Sequence, residues 1–350
     1  MMRFTTALLL PCILLSGGSE FIVIDRSAVV VDETFVTPRQ NWALVDSPAI
    51  WTGQAGETWI VATGKLTSRL YVSDAATGAH IRTIGRRGSK LGEFSRPNGI
   101  AIAGDLALVV ERDNHRVQVL RLPDFTPVGT FGEETLSKPY GVAVQSHAKG
   151  EMIVFITDDY QEKNGRDLAG RDLGERVKRF RVSESGQGLV STYLGAFGDT
   201  VGAGRLIGVE SVAVDPDAGI LLIADEGAID VKVYRTDGSF TGLVLWGDLI
   251  RTEPEGIVLY ACGPSEGYWV VTDQHPGDNR FLVFDRKSFA LLGGVRGKTM
   301  RNTDGIALIQ RPVGPMSAGA LYGSHKDRSV GAISWSRIAS ALGLRADCVA

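Results

Sequence analysis

The sequence predicts an all-β protein, a six-bladed β-propeller with four-stranded antiparallel blades. A short pattern recurs along the chain, in which a polar residue and then a small residue precede alternating apolar residues. The small residues of the six copies are Ser47, Gly99, Gly141, Ser211, Gly256 and Gly305. Their intervals are 52, 42, 70, 45 and 49 residues, and propeller blades typically span about 40–50 residues. Six copies at this spacing favour a propeller over a two-sheet β-sandwich or an open array.

Short runs of alternating apolar residues lie between the small residues and are typical of β-strands. Leu106–Val110 is followed by Arg116–Leu120, and Ile220–Ala224 is followed by Val231–Tyr234. This order predicts an inner strand, two middle strands and an outer strand in each blade. A short helix is expected at Trp335–Leu342.

Three segments fall outside the repeat. Phe21–Ile24 and Ala28–Val31 precede the first copy and have no blade of their own. Pairing one of them into the last blade would cover an exposed strand edge and close the ring. The longest interval contains a charged, glycine-rich segment from Asp158 to Arg179, which is predicted to be a long exposed loop.

The first residues predict export to a secreted or periplasmic location. Residues 1–19 combine a short apolar stretch with small residues at 16–19, which is typical of a signal peptide. The alternative is a buried N-terminal strand or helix. The propeller domain then covers 20–350, in which Cys262 and Cys348 form either one disulfide or two separate thiols.

Composition limits the partners that the chain is expected to have. Hydrophobic residues make up 44%, charged residues make up 22%, and the net charge is −3. This balance gives no reason to expect nucleic acid or an anionic membrane as a partner. No apolar run beyond the first residues is long enough to cross a membrane, and a soluble monomer is expected.

The repeat brings acidic side chains together at the pore. The polar residue before each small residue lies at the start of an inner strand, and inner strands surround the central channel. The six occupants are Asp46, Asn98, Tyr140, Glu210, Glu255 and Asp304. Clustered carboxylates must be protonated or neutralised, and calcium accepts six to eight oxygen ligands with tolerant geometry. The sequence therefore predicts a calcium site, unless each polar residue only caps its own strand.

Two basic residues are candidates for binding an anion beside these acids. Lys65 lies in a loop of the first blade, and Arg112 follows a middle strand of the second blade. Either is a solvated loop charge when taken alone. Together with a metal they would bind phosphate.

Several motifs at these positions resemble those of the β-propeller phytases, calcium-dependent phosphatases that act on inositol hexakisphosphate. Asp46–Trp51 resembles the family's Asp-Asp-Pro-Ala-Ile-Trp, and Glu253–Ile257 resembles its Asp-Ile-Glu-Gly-Leu. Asn302–Ile306 is similar to Asp-Thr-Asp-Gly-Ile, and Ser334–Ala339 to Asp-Trp-Xaa-Xaa-Ile-Ala. The resemblance covers Asp46 to Leu344.

The resemblance implies roles for individual residues. It assigns a set of acids to calcium or to the activated water: Asp46, Glu210, Glu226, Glu253, Glu255 and Asp304. It assigns phosphate contacts to Lys65, Arg112 and Tyr140. The implied function is secreted, calcium-dependent hydrolysis of phytate or a related small-molecule phosphate ester, with Glu210 or Glu255 orienting the attacking water.

The chain departs from the phytase pattern in several places. Ser47 replaces an Asp, Leu66 replaces the second of two lysines, and Asp158-Asp159 replaces a Lys-Glu pair. The second blade, at 85–99, is more similar to NHL repeats. These departures support an alternative function, a non-catalytic calcium-bearing NHL-like propeller that binds protein or glycan. A lactonase or another metal hydrolase on the same fold is a third possibility.

Overall fold

Six four-stranded antiparallel blades surround a central channel, which confirms the predicted fold class. The computed structural model describes residues 28–147, 150–160, 173–186 and 188–348. With strands numbered in chain order, the inner strands are β3 (Val45–Thr52), β7 (Pro97–Ala103), β11 (Pro139–Ser146), β15 (Val209–Asp215), β19 (Glu253–Ala261) and β23 (Ile306–Ile309). The second strands are β4 (Thr58–Gly64), β8 (Leu106–Glu111), β12 (Met152–Asp158), β16 (Ile220–Asp225), β20 (Gly267–Gln274) and β24 (Ala320–His325).

The remaining strands complete each blade away from the channel. The third strands are β5 (Arg69–Asp74), β9 (Arg116–Arg121), β13 (Val177–Ser185), β17 (Asp230–Arg235), β21 (Arg280–Asp285) and β25 (Ser329–Ser334). The outer strands are β6 (His80–Ile84), β10 (Thr126–Phe131), β14 (Gly188–Phe197), β18 (Phe240–Leu245), β22 (Leu291–Gly297) and, in the sixth blade, β2 (Phe35–Val36).

The ring is closed by N-terminal residues, but not by the predicted ones. Phe35–Val36 pairs antiparallel with β25 and completes the sixth blade. Val29–Val31 (β1) pairs parallel with β22 and adds a fifth strand to the fifth blade. The sequence predicts that Phe21–Ile24 or Ala28–Val31 enters the last blade, and for Ala28–Val31 this prediction is wrong. Phe21–Ile24 and the predicted signal at 1–19 lie outside the described residues.

Apolar side chains of neighbouring blades meet in six hydrophobic clusters, one at each blade interface. The interface between the fifth and sixth blades also receives the helix α1 (Trp335–Leu342), which forms where it is predicted. There Trp335 stacks on Tyr260 with ring centroids 4.0 Å apart. Cys262 and Cys348 form a disulfide beside this stack, which decides between the two alternatives for these residues. No helix among the described residues is long and apolar enough to span a membrane.

The segment predicted as a long loop is partly regular structure. Asp158 is the last residue of β12 and is fully buried. The third strand begins at Val177, after a short 3₁₀ turn at Leu173–Glu175. The exposed-loop prediction is therefore wrong at both ends of 158–179, and residues 161–172 lie outside the described part of the chain.

In four blades a buried acid holds the backbone segment just before the inner strand. It is the last or next-to-last residue of the second strand and pairs with a base at or near the start of the third strand: Glu111–Arg116, Asp158–Lys178, Asp225–Lys232 and Asp273–Arg280. Asp225 also accepts the backbone N–H groups of Ile207 and Gly208, both at 2.8 Å. Because these groups immediately precede β15, the acid determines how the chain enters the pore. We call this arrangement the acid clasp.

Candidate metal centre at the pore mouth

The six predicted polar residues do form a ring at the start of the inner strands. In the first five blades the register between inner and second strands shifts at this position, as between Val209 and Val212. A β-bulge re-aims side chains and is frequent next to functional sites. The bulge contains the ring residue and its small neighbour, so the ring residue is released from the regular ladder and lies at the channel mouth.

The small residue is required because the next blade approaches closely. A Cβ on Gly141 would lie 2.2 Å from the carbonyl oxygen of Glu210, and one on Gly99 would lie 2.5 Å from that of Tyr140. Thr157 completes this junction, since its hydroxyl accepts the N–H of Gly141 and donates to the Glu210 carbonyl at 2.6 Å. Neighbouring ring residues are thus held at fixed separations by their backbones.

A second ring of polar side chains lies beside the first. Each member is the last residue of the second strand of its blade or the residue just after that strand. In the four blades with an acid clasp, it directly follows the acid. The members are Lys65, Arg112, Asp159, Glu226, Gln274 and Lys326. The backbone N–H of Glu226 bonds the carbonyl of Gly208, and that of Lys65 bonds the carbonyl of Leu44. Three of these residues, Lys65, Arg112 and Glu226, are candidate site residues by sequence, but the repeat does not predict that they share a ring with the other three. The acid that directly precedes four of these residues is the sequence feature from which the second ring could have been predicted.

Three carboxylates converge where the fourth and fifth blades meet. Ligand oxygens of Glu210, Glu226 and Glu255 all lie within 4.8 Å of one another, and Glu226 hydrogen-bonds both partners. Burial, followed by repulsion from the other acids, raises the pKa of Glu210, of Glu226 and of Glu255. Glu210 Oε2 is buried and has no hydrogen-bond partner among the described residues. We call these three residues the glutamate cluster.

On the opposite side of the pore mouth, the positive charge of a lysine is paired with the negative charge of an aspartate. Lys65 Nζ lies 2.6 Å from Asp46 Oδ1 and donates to the Tyr140 hydroxyl at 3.1 Å. Burial alone would lower the pKa of Lys65, but Asp46, Asp304 and Glu210 outweigh it and raise that pKa. Burial and then the surrounding acids raise the pKa of Tyr140, so its phenol stays protonated. Lys65 is therefore a permanent cation between the acids and Tyr140.

Asp304 belongs to this side as well. It accepts hydrogen bonds from Gln274 Nε2 and Ser324 Oγ, both at 3.2 Å. Burial and repulsion from Asp46 raise its pKa to about 7. Asp327, which sequence reasoning missed, hydrogen-bonds Asp304 and has a pKa raised mainly by burial. Asp327 has no counterpart in the repeated motif, because it lies in the turn after the second strand of the last blade.

The remaining predicted residues lie apart from these groups. Glu253 is exposed, although its charge acts on Glu226. Arg112 pairs with Asp113 at 2.9 Å, and its side chain is 30% exposed. Asn98 is fully buried in the first ring, and neither its Nδ2 nor its Oδ1 has a hydrogen-bond partner within the described ranges. A buried amide of this kind calls for a polar ligand or water at the channel mouth.

Comparison with known proteins supports the fold and one repeat. Residues 94–120, in the second blade, match the NHL repeat. Regucalcin from Agrobacterium tumefaciens, described as a calcium-binding protein, is similar over 87% of this chain and 95% of its own, with 12% identity and a TM-score of 0.53. Hydrazine synthase from Kuenenia stuttgartiensis matches 87% of this chain and 81% of its own, with 13% identity and a TM-score of 0.49.

The NHL match covers part of the second blade, and the likeness to regucalcin concerns the propeller fold alone. The search of curated proteins gave no significant match. None of the findings supports the phytase family specifically.

Proposed function

We propose that this chain is a calcium-binding propeller whose glutamate cluster holds the ion and whose pore mouth binds an oxygen-bearing ligand through it. The convergence of Glu210, Glu226 and Glu255 carries the proposal. Three carboxyl groups this close together, one buried and two half-buried, stay neutral or require a cation. A function that depends on calcium explains why all three acids are placed there.

The donor set fits calcium better than other common ions. The cluster offers carboxylate oxygens without His or Cys, which suits a hard cation rather than zinc. Calcium binds oxygens at roughly 2.3–2.6 Å, so donors on opposite sides of one ion lie about 5 Å apart. The ligand oxygens of the cluster lie within 4.8 Å of one another, so all three carboxylates can contact one calcium ion. The unpartnered oxygen of Glu210 supplies an available ligand atom.

The similarity to regucalcin is consistent with the proposal, because that protein is described as calcium-binding. At 12% identity the likeness concerns the fold, and the ligands come from this chain's own geometry.

Phosphate-ester hydrolysis is the second candidate, and the position of Lys65 favours it. Its ammonium group and the Tyr140 hydroxyl lie together beside the acids. They would hold the oxygens of an anionic group, and a bound calcium would polarise a phosphoryl oxygen and lower the pKa of water. Glu210 or Glu255 would then orient that water. The pairing of Lys65 with Asp46 and of Arg112 with Asp113 reduces the charge available to phosphate, which is why we place binding first.

Two measurements test the proposal and separate the candidates. Calorimetric titration of chelator-treated protein with calcium chloride should show binding that Glu210→Gln weakens at least about tenfold. The exposed Glu134→Gln should leave it unchanged. Absence of calcium binding by the wild type would refute both candidates.

The second measurement is release of phosphate from p-nitrophenyl phosphate and from phytate with and without calcium. Calcium-dependent turnover that Glu255→Gln removes from kcat would establish the second candidate. Calcium binding without turnover of either ester would exclude phosphate-ester hydrolysis of these substrates and support the proposed calcium-dependent ligand binding.

A further inference from the structure

A cleft beside the pore mouth shares Lys326 and Asp327 with the pore-mouth groups described above, but lies apart from the glutamate cluster. It has a volume of about 550 Å³ and lies between the first and sixth blades. One wall is apolar and consists of Trp42, Leu44 and Leu66, and the other is the turn at 326–328. This volume is in the range of small-molecule sites. Because Asp327 hydrogen-bonds Asp304, the cleft adjoins the acidic ring.

The loop that carries Trp42 is held in place on both sides. The N–H of Val45 bonds the carbonyl of Asp327 at 2.8 Å, and the N–H of Gln40 bonds that of Arg328 at 2.6 Å. The two walls are therefore joined by their backbones, and the cleft is preformed.

Trp42 is held in an unfavourable state. Its side chain is 85% exposed, the most exposed of the large hydrophobic residues in the described part of the chain. Its φ of 62° lies in the left-handed region, which a residue with a Cβ adopts at an energetic cost. Strain of this kind is concentrated at binding sites, where the surrounding structure maintains it. An exposed indole on a fixed loop is suited to stack on a planar group.

The opposite wall of the cleft carries two positively charged side chains. Lys326 and Arg328 are both exposed and both line the cleft. The carboxyl group of Asp327, which lies between them, is engaged with Asp304. The charge of Asp327 also acts on Arg328, but neither Lys326 nor Arg328 forms an ion pair within 4 Å among the described residues, so both can bind an anion inside the cleft.

We propose that this cleft binds a small ligand that combines a planar aromatic ring with an anionic group. The ring lies against Trp42, between Leu44 and Leu66, and the anion pairs with Lys326 and Arg328. The proposal does not depend on calcium in the glutamate cluster, since every group it uses lies in the cleft.

Calorimetry with phenyl phosphate in the presence of a chelator tests the proposal. Phenyl phosphate should bind about tenfold more tightly than phenol or inorganic phosphate, each of which lacks half of the recognised chemistry. Trp42→Gly should weaken phenyl phosphate about five- to tenfold, and Trp42→Phe should stay close to the wild type. Leu91→Ala, at another exposed apolar residue, is the matched control and should change nothing.

Glycine accepts a φ of 62° without strain, so Trp42→Gly removes the ring while the loop keeps its conformation. An unchanged melting temperature for this variant would confirm that the loss of binding is local. The double variant Lys326→Ala/Arg328→Ala should weaken phenyl phosphate and leave phenol unaffected, whereas the exposed Lys287→Ala should affect neither.

Three results would overturn the proposal. One is equal affinity of wild type and Trp42→Gly for phenyl phosphate. Another is equal affinity of the wild type for phenyl phosphate and inorganic phosphate. The third is a concentration-dependent dimer that Trp42→Gly dissociates, because a second copy of the chain would then be the occupant of the cleft.

Discussion

Glu255→Gln should change the stability of the protein in opposite directions depending on calcium. Glu255 is 4% exposed, and Gln has the same shape without the charge. In chelator the substitution should raise the melting temperature, because repulsion within the glutamate cluster falls. In excess calcium the wild type should be stabilised and the variant should gain little.

The magnitude follows from the geometry of the cluster. Two ionised carboxylates whose oxygens lie within 4.8 Å of each other repel by at least about 3.5 kcal/mol at an effective dielectric constant of 20. Protonation at pH 7 is the alternative and costs about 3–4 kcal/mol for a carboxyl with a pKa near 4.3. Glu255 belongs to two of the three pairs, so its neutralisation should stabilise the ion-free protein by roughly 2–3 kcal/mol. Calcium at about 100 times its Kd should stabilise the wild type by roughly 2.7 kcal/mol.

Differential scanning calorimetry at pH 7 measures both effects. Each should shift Tm by about 4–12 °C, since 1 kcal/mol corresponds to roughly 2–4 °C in a large single domain. Glu134→Gln serves as the control for removal of an exposed carboxylate. A variant with a lower Tm in chelator, or one that calcium stabilises as much as the wild type, would refute the reasoning.

Three further perturbations test the scaffold. Asp225→Ala removes one of the two carboxylates that pair with the buried Lys232 and the acceptor of the Ile207 and Gly208 N–H groups, and urea unfolding should show a loss of about 3–5 kcal/mol; a loss below 1 kcal/mol would contradict the role of the acid clasp. Replacing both Cys262 and Cys348 with Ser should cost roughly 2–4 kcal/mol in the same assay, and an unchanged transition would exclude a stabilising disulfide. Burial raises the pKa of Tyr234 to about 12, so the folded state favours the neutral phenol and its contribution to stability is lost as pH rises from 10.0 towards that value. The stability difference between wild type and Tyr234→Phe, measured from pH 9 upward, should therefore be constant at first and then shift against the wild type above about pH 10; a difference that stays constant would contradict it.

The blade count and the first ring could be predicted because both follow from the repeat. The small residue recurs where neighbouring inner strands approach closely, since a Cβ added at Gly141 would lie only 2.2 Å from the Glu210 carbonyl oxygen. Its spacing along the chain therefore predicts the blades directly. The residue before it lies in the bulge, and this position alone brings Glu210 and Glu255 to the same end of the channel.

Three other features of the fold could not be predicted, because the sequence carries only weak signals for them. The closing strand Phe35–Val36 has two residues, too few for an alternating pattern. The pairing of Cys262 with Cys348 depends on where the C-terminal tail packs after α1, which spacing does not specify. Asp158 has no sequence signal for a buried strand end, because the charged segment follows it at once and its burial comes from the acid clasp.

The way the ring closes has a consequence for the order in which the chain folds during synthesis. Strands of the first five blades are contiguous, so each can pair as it leaves the ribosome. Thr37 and Val330, which meet beside the closing strand, are separated by 293 positions. Closing so long a loop costs only about 0.6 kcal/mol more for each doubling of its length, yet it waits for the last strand to be made. A translation product that stops before β25 exposes a strand edge at the open end of the ring, where another nascent copy can pair with it.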